Sequence, residues 1–367
     1  MLIKPEVEKF ARIKVIGVGG AGSNAISTMM QEQNIQGVEF VAINTDQQHL
    51  DSSPAPTKIQ IGKALTRGLG SGGNPEVGRQ SAEENAEEIH QHLDGTDMVF
   101  ITAGMGGGTG TGAAPFIAEV AKNLGALTVG VVSKPFDFEG SRRRMNAEEG
   151  LAELKEKVDT LIVIPNQRLL EIVPDEQPLL EAFRVGDAVL GQSVQGISDI
   201  IVMPGLINRD FADVKSIMAD AGSALMGIGQ ATGEDRAVKA AHEAIESPLL
   251  EATISGAKGI LFNISGGRDL SLSEVNKAAE IIGAEAAQDA NIIFGAMIDE
   301  QLKDTVKITV IATGFDQNRQ RLRTRTTAHA AESHTNGRLS NPVFDESGEP
   351  ASEDEEKFET PAFLRRR

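Results

Sequence analysis

Two glycine-rich segments are the residues of this chain whose spacing most clearly suggests chemistry. The first, Gly17-Val-Gly19-Gly20-Ala21-Gly22, follows a β-branched run and precedes a helical one. Glycines at such a place let backbone amides approach a phosphate at the positive end of a helix. The motif alone leaves three readings open: a nicotinamide cofactor, another phosphate ligand, or a tight turn without a ligand.

The second segment, Gly104–Gly112, is more specific, because it holds six glycines and two threonines in nine residues. Unobstructed backbone N–H groups and two hydroxyls make a nest for several phosphate oxygens. A glycine-rich turn without a ligand is the weaker alternative, since so much glycine costs stability without a gain in packing. A third loop, Gly70-Ser71-Gly72-Gly73-Asn74, could close over a terminal phosphate. Together the three loops predict a nucleoside triphosphate site.

Alternating strands and helices must position these loops. Short β-branched runs predict buried strands at Ile13–Gly17, Glu39–Ile43, Met98–Thr102, Leu127–Val132 and Leu161–Ile164. Helical spacing lies between them at Pro75–Leu93, Ala113–Leu124 and Ser141–Lys157. This order predicts an α/β fold with a parallel sheet and helices on both of its faces.

The second half of the chain predicts a different, smaller α+β domain. One long helix over Pro178–Met203 links the halves, although its three glycines cost about 1 kcal/mol each against Ala. Further helices are predicted at Phe211–Ala219, Glu234–Ile245 and Ser273–Ala287, and strands at Ala224–Ile228, Gly259–Ile264, Asn291–Ile298 and Thr305–Ala312. The short connection between the last two strands suggests that they pair antiparallel.

Composition excludes several functional classes. The 367 residues include no Cys, so disulfides, thiolate zinc sites and Cys nucleophiles are ruled out. The net charge of −18 argues against nucleic acid as a main partner. No apolar stretch is long enough for a membrane span, and the pattern predicts a cytoplasmic protein.

Longer motifs connect these features to one family. Gly104–Gly112 is similar to the tubulin signature, and Ile13–Gly314 resembles the bacterial FtsZ family of cell-division GTPases. Supporting segments are Asn44-Thr-Asp46, Gly68–Gly78, Lys134–Gly140 and Gly205–Asp213. The resemblance implies a GTP-binding domain over 1–177, a central helix over 178–204 and an α+β domain over 205–316. A flexible linker over 317–355 and a partner-binding peptide over 356–367 would follow.

The resemblance also implies roles for single residues. Gly20 to Asn24 would cradle the α- and β-phosphates, and Gly108 to Gly110 would hold the rest of the phosphate chain. Asn166 and Asp187 would read guanine, with Phe183 stacked on the base. The implied nucleotide-binding set is Gly19, Gly20, Ala21, Gly22, Ser23, Asn24, Asn44, Gly70, Ser71, Gly72, Gly73, Gly106, Gly107, Gly108, Thr109, Gly110, Glu139, Arg143, Asn166, Phe183 and Asp187.

Some of these residues have ordinary structural alternatives. Phe183 on a long helix is more often a core residue, and Asp187 could be a solvated helix residue. Arg143 lies within three consecutive arginines, so its register could differ by one.

The resemblance makes Asn208, Asp210 and Asp213 the catalytic set, reaching the nucleotide of the next subunit to position water. From spacing alone, the two aspartates could equally cap a helix. A site completed in trans implies head-to-tail assembly into an open filament. Mg²⁺ is expected to be held through phosphates and water, because no protein metal site is evident.

The tail beyond Gln317 carries nine basic and nine acidic residues and few large apolar ones, which predicts a flexible linker. Its end resembles the family's peptide for membrane-tethering partners such as FtsA, with Pro361, Phe363, Leu364 and Arg365 as contacts. A frayed end is the alternative. The expected location is the division site, reached through partners and without membrane insertion.

Two other functions compete with an assembling GTPase of this kind. A dinucleotide-dependent oxidoreductase would use Gly17–Gly22, but the second glycine loop does not fit it. A nucleotide-binding scaffold without hydrolysis is disfavoured by the presence of Asn208, Asp210 and Asp213.

Overall fold

A ten-stranded sheet runs through the part of the chain that the computed structural model describes, residues 11–171, 178–202, 210–250 and 252–315. Its strand order is β3-β2-β1-β4-β5-β6-β7-β10-β8-β9. The strands are β1 Ile13–Val18, β2 Val38–Asn44, β3 Thr57–Gln60, β4 Met98–Gly104, β5 Leu127–Lys134, β6 Thr160–Pro165, β7 Gly222–Thr232, β8 Gly259–Gly266, β9 Asn291–Ile298 and β10 Thr305–Thr313.

Twelve α-helices are assigned in the same residues: α1 Gly19–Gln31, α2 Gln47–Ser52, α3 Lys63–Thr66, α4 Pro75–Glu84, α5 Ala86–Leu93, α6 Thr109–Asn123, α7 Ser141–Lys157, α8 Asn166–Leu169, α9 Leu179–Val202, α10 Phe211–Met218, α11 Arg236–Ile245 and α12 Leu272–Glu285. The single helix predicted over Pro75–Leu93 is two helices, which meet at Asn85. Two 3₁₀ turns, Asp137–Glu139 and Glu300–Leu302, complete the elements.

The first six strands are parallel, which confirms the predicted parallel sheet, although β3 is not among the five predicted strands. Both faces of this sheet are covered. Residues alternate between the faces. Val15 of β1 joins the core beneath α1, α9 and α10, whereas the adjacent Ile16 joins the core beneath α4 to α7. The first residues of β7 pair parallel with β6, and the rest pair antiparallel with β10, so the sheet is continuous across both halves.

The glycines of α9 allow close packing along its length. A Cβ on Gly191 would lie 1.8 Å from the Gln33 Oε1 atom, and one on Gly196 would lie 2.9 Å from the Thr309 Cγ2 atom. Gln33 in turn donates to the Ala188 carbonyl at 2.7 Å. The glycines therefore lower the helix propensity of α9 but allow it to contact the end of α1 and β10. Neither α9 nor any other helix in the described ranges is suited to cross a membrane.

The prediction that the last two strands pair with each other is wrong. β9 pairs parallel with β8, with Asn291 opposite Gly259, and β10 lies between β7 and β8, antiparallel to both. The cause is α12, which joins β8 to β9 as a crossover and returns the chain in the same direction. β10 is buried almost throughout and suits a central position, while β9 exposes both ends and suits the edge.

Candidate functional site

A cleft of about 420 Å³ opens at the carboxyl ends of β1, β4, β5 and β6. Loops after parallel strands meet at this edge, which is where open α/β sheets bind ligands. The cleft brings together most of the residues that the sequence predicts to bind nucleotide. These are Gly20, Ala21, Asn24, Ser71, Gly107, Gly108, Thr109, Gly110, Glu139, Arg143, Asn166, Phe183 and Asp187.

The other predicted binding residues do not line the cleft but lie close to its lining residues, in the sequence or by contact. Gly19 begins α1 with a φ of +72°, and Gly106 turns the second loop with a φ of +99°. A Cβ on Gly22 would lie 2.4 Å from the Thr102 carbonyl oxygen, so this glycine lets α1 pack on β4. Ser23 and Asn44 are buried. Gly70, Gly72 and Gly73 all have positive φ and belong to the third loop.

Glycines of the first and second loops serve two different purposes. A Cβ on Gly108 would lie 2.2 Å from the Ser71 Oγ atom, and one on Gly110 would lie 2.8 Å from the Gly104 carbonyl oxygen. These two glycines are required by packing. A Cβ on Gly107 would meet nothing within 4 Å, and one on Gly20 only a single atom at 4.0 Å. At Gly20 and Gly107 the missing side chain therefore leaves open space beside the cleft.

Hydroxyl groups tie the loops together at the same end of the cleft. The Thr109 Oγ1 atom lies 2.6 Å from Thr45 Oγ1 and 3.0 Å from Ser71 Oγ. Thr109 is also the first residue of α6, whose N-terminus carries the positive end of the helix dipole. Backbone amides, hydroxyls and a helix N-terminus in one place suit a chain of phosphates.

The opposite end of the cleft has polar side chains that lack partners. The Asn166 Oδ1 atom is buried and has no hydrogen-bond partner among the described residues. Asp187 lies nearby on α9, and burial together with the charge of Glu32 raises the pKa of its carboxyl to about 7. Gly186 lets α9 pack closely at this end of the cleft, because a Cβ there would lie 3.2 Å from Leu169 Cδ1 and 3.6 Å from Asn166 Oδ1. This end suits a ligand with adjacent N–H donors.

Phe183 faces the cleft and not the core, with 39% of its surface exposed. Its ring packs edge-on against Phe136, with the ring centroids 5.4 Å apart, and Phe136 stacks on Phe138 at 5.0 Å. Phe136 is itself buried and fixes the orientation of Phe183. An exposed, oriented ring at the cleft could stack on a planar ligand.

Arg143 is the arginine of its run that lines the nucleotide cleft. It forms an ion pair with Glu139, whose other carboxylate oxygen accepts from the Phe136 backbone N–H at 2.9 Å. Arg144 instead contacts Asp137, and Arg142 lines a separate groove beside α4.

The two predicted catalytic aspartates do not line the cleft. Asp210 caps α10, where its carboxylate accepts from the Asp213 backbone N–H at 2.8 Å. The end of α10 lies at the amino edge of the sheet, because Thr160, the first residue of β6, donates its hydroxyl to the Met218 carbonyl at 2.5 Å. The cleft lies at the other edge. Asn208 falls outside the described residues, as do Pro361, Phe363, Leu364 and Arg365.

Sequence reasoning missed several lining residues: Val18, His49, Met105, Ser133, Pro135, Phe136, Leu169, Ala182, Gly186 and Leu190. Most are ordinary apolar or small residues that reach the cleft only through the packing of strand ends and α9. His49 is the exception. The only sequence signal for it is that Asp46 caps α2 three residues earlier, which turns the next residues into a helix beside Asn44.

The fold and the cleft together define a nucleotide-binding α/β protein with a second, mostly antiparallel domain. Comparison with known proteins narrows this class. The model of the Tubulin/FtsZ family GTPase domain matches residues 12–174, and that of the FtsZ family C-terminal domain matches residues 222–316.

Solved structures agree with the family models. An empty FtsZ dimer from M. jannaschii is 48% identical, with a TM-score of 0.81, over 85% of this chain and 93% of that chain. A mutant FtsZ from the same organism is 50% identical, with a TM-score of 0.80, over 83% and 91%. A GTPgS-bound CetZ2 protofilament from Haloferax volcanii, 22% identical with a TM-score of 0.69 over 88% and 100%, shares the fold. The chain belongs to the FtsZ family, within the tubulin/FtsZ GTPases.

The predicted fold class and family are thereby confirmed, and the GTPase domain supports guanine nucleotide binding. The bacterial origin in the predicted resemblance stays a prediction.

Proposed function

We propose that this chain is a self-assembling GTPase, which polymerises head to tail into filaments that form the cytokinetic ring at the division site. It hydrolyses GTP to GDP and phosphate where two subunits meet. Membership of the family supports this proposal, as do the similar structures of an FtsZ dimer and a CetZ2 protofilament. In this proposal residues 1–177 bind GTP, the helix over 178–204 connects, and residues 205–316 carry the catalytic loop.

Guanine fits the polar end of the cleft by the chemistry of its edge. The Asp187 carboxylate can accept from guanine N1–H and N2–H, a pair of donors that adenine does not present. The unpartnered Asn166 Oδ1 offers a further acceptor, and Phe183 offers a ring for stacking. Leaving such buried acceptors without donors is costly, which favours guanine over adenine.

One observation carries the proposal of a shared active site. Only two carboxylates line the cleft in the described ranges, Glu139 and Asp187, and both have other roles: Glu139 pairs with Arg143 and Asp187 faces the base end. The phosphate end offers backbone amides and hydroxyls but no acid to orient water. Asp210 and Asp213 lie on a helix at the other edge of the sheet. Among the described residues, the phosphate end of each subunit's cleft therefore has no acid, and Asp210 and Asp213 do not line the cleft.

A second copy can join the two parts. The first turns of α9 line the cleft. At the helical rise per residue, α9 is about 36 Å long and ends at Val202, and Asp210 follows eight residues later. Stacking one subunit's acid-bearing edge on the next subunit's cleft is a heterologous contact, which repeats as an open filament.

The chemical step then needs little more than orientation. The water oxygen attacks the γ-phosphorus in line while the bond from that phosphorus to the β–γ bridging oxygen breaks, giving GDP and phosphate. The Asp213 carboxylate of the neighbouring subunit accepts a hydrogen bond from the water and aligns its lone pair. The glycine loops and Thr109 hold the phosphates.

Mg²⁺ fits this site through oxygen donors of the nucleotide. The described residues contain no cluster of three acids or histidines that could hold a metal, and the phosphate end presents the Thr109 and Ser71 hydroxyls. A few hydroxyl oxygens of this kind suit an ion whose other ligands are phosphate oxygens and water. When bound, Mg²⁺ supplies neutralisation of the charge that develops on the phosphate oxygens.

We further propose that the C-terminal peptide binds a membrane-tethering division protein such as FtsA through Pro361, Phe363, Leu364 and Arg365. The apolar Phe-Leu pair and the basic residues support this assignment. Deleting 359–367 is expected to abolish binding to the tether and leave GTP turnover intact. Loss of turnover as well would contradict a separate tail.

Asp213→Ala tests the shared site. The variant keeps the α10 cap, because the Asp210 carboxylate accepts from the backbone N–H of residue 213, which alanine also has. We expect GTP binding and filament scattering to persist, while phosphate release falls by a factor on the order of 10². Asp94→Ala, at the exposed end of α5, is the control for loss of an acid. Failure of Asp213→Ala to bind GTP would contradict the assignment in trans.

A further inference from the structure

His49 lies in the wall of the nucleotide cleft, although nothing in its sequence context predicts a ligand contact. It belongs to α2, and its side chain is half buried. The ring nitrogen Nε2 lies 4.0 Å from the place that a Cβ on Gly20 would occupy. That position is in the open space at the N-terminus of α1, where the phosphates of a nucleotide would lie.

The hydrogen bonds around His49 determine which ring nitrogen carries the proton. The Asp46 backbone N–H donates to the Asn44 Oδ1 atom at 3.3 Å, which fixes the orientation of the Asn44 amide. The other end of that amide, the NH₂ group, lies 3.5 Å from His49 Nδ1. Because an NH₂ group only donates, Nδ1 is the acceptor and the neutral ring carries its proton on Nε2.

The ring is held in place as well as oriented. The Asp46 carboxylate accepts from the His49 backbone N–H at 3.0 Å and caps α2. Asn44, the last residue of β2, is 3% exposed. Among the described residues, Nε2 makes no hydrogen bond. A donor held toward an empty, glycine-lined space is a preformed contact for an anion.

We propose that His49 is a further phosphate-binding residue, whose Nε2–H donates to the diphosphate of the bound guanine nucleotide beside Gly20. This inference rests on the proposed function, because it concerns the same site. It adds a side-chain donor to a phosphate end otherwise built from amides and hydroxyls. Asn44 becomes a positioning residue, acting through the His49 ring.

The test compares ligands that differ only in phosphate. Affinities for GTP, GDP and guanosine are measured for the full chain, for His49→Ala and for His49→Gln. We expect His49→Ala to weaken GTP and GDP by a similar factor, on the order of tenfold, and to leave guanosine unchanged. His49→Gln restores most of the affinity, since its amide can donate. His90→Ala, an exposed histidine of α5, is the control and changes none of them.

A second measurement uses the unaltered protein. Nitrogen-15 NMR of the histidine rings should show His49 protonated on Nε2 without ligand, and GDP but not guanosine should shift that signal. Equal affinity of His49→Ala and the unaltered chain for GDP would overturn the proposal, as would an equal loss for guanosine. If the unaltered chain binds neither GTP nor GDP, the proposed function itself fails. This result differs from one in which the unaltered chain and His49→Ala both bind GDP equally well, which would contradict only the role of His49.

Discussion

The cleft and helix α10 differ in what each lacks. The cleft has two glycine positions that open onto free space, three linked hydroxyls and, at its opposite end, an unpartnered acceptor. In the proposed function, neither of its two carboxylates lies beside the phosphates. α10 has the two aspartates, one of them already bonded to the helix backbone, and neither aspartate lines the cleft. In the proposed function, the parts of the active site are divided between these two regions, so GTP hydrolysis requires assembly.

Substitutions at Asp210 test the proposed catalytic role of α10 with the largest expected effect, because Asp210 has both a structural and a proposed catalytic role. Asp210→Ser keeps a capping oxygen for α10, whereas Asp210→Ala removes it at a cost of about 1 kcal/mol in unfolding free energy. We expect both variants to lose turnover by a factor on the order of 10², and only the alanine variant to lose stability. Near-normal phosphate release by Asp210→Ser would reduce Asp210 to a helix cap.

The cleft side is tested at Gly107, where a methyl group would meet no neighbouring atom. Gly107→Ala should leave the unfolding free energy without ligand nearly unchanged. It should weaken GTP binding by about tenfold or more, because the methyl takes space that the phosphates need. Gly283→Ala on α12, where the nearest side-chain atom is 3.8 Å away, is the matched control. Unchanged affinity in Gly107→Ala would mean that the second loop does not contact the nucleotide.

Asp187 makes the base end sensitive to pH. Because burial raises its pKa to about 7, the Asp187 carboxyl is protonated below that pH, whereas the proposed contact with guanine uses the carboxylate. Affinity for GDP should therefore fall by about tenfold from pH 8 to pH 6. Asp187→Asn should bind more weakly and show a flat profile over this range, and calorimetry at several pH values measures both.

The same pKa has the opposite consequence for stability without ligand. The folded protein binds a proton on Asp187 more tightly than the unfolded chain does, so this group's contribution falls as the pH rises from about 4 to 7. If Asp187 makes this contribution, the free energy of unfolding should rise over this pH range only in the Asp187→Asn variant.

For the GDP measurement, an affinity independent of pH in the unaltered chain would contradict the assignment of Asp187 to the base.

The smallest expected effect concerns the connection between the two regions within one subunit. Lys122, near the end of α6, pairs with Asp159 at 3.0 Å and with Asp220 at 2.9 Å, just after α10. These pairs keep the pKa of Lys122 above its usual value. The lysine is partly exposed, so Lys122→Met should cost only about 1 kcal/mol of unfolding free energy.

If the catalytic contact is between subunits, turnover per filament subunit in Lys122→Met should stay within about twofold of the unaltered chain. Lys157→Met, which removes a similar pair with Glu119, is the control. A large loss of turnover in Lys122→Met alone would indicate that the acids act within their own subunit.

The sequence alone predicts the phosphate end of the cleft well, because that end is made of contiguous glycine loops between strong strand and helix patterns. The base end is different. Asn166, Phe183 and Asp187 are single residues of common types, which acquire a role only when β6 and α9 meet, so the family resemblance and not their spacing indicates them. The only sequence signal for His49 is Asp46 three residues earlier, because the position of His49 depends on a capped six-residue helix and on the Asn44 amide.

The last two strands show the same limit. Their short connection favours pairing, but the crossover through α12 and the burial of β10 decide the order of the sheet. In α9, the glycines only lower the predicted helix propensity when the sequence is considered alone. The structure explains Gly191 by its contact with Gln33 and Gly196 by its contact with Thr309.

The most direct test of the divided site is phosphate release from GTP, with ATP as the control nucleotide, over a series of protein concentrations with light scattering recorded alongside. We predict GTP-specific activity that is nearly absent below a threshold concentration and rises together with scattering. Activity per subunit that is constant from the lowest concentration, without scattering, would contradict it, because a single subunit would then carry the whole active site.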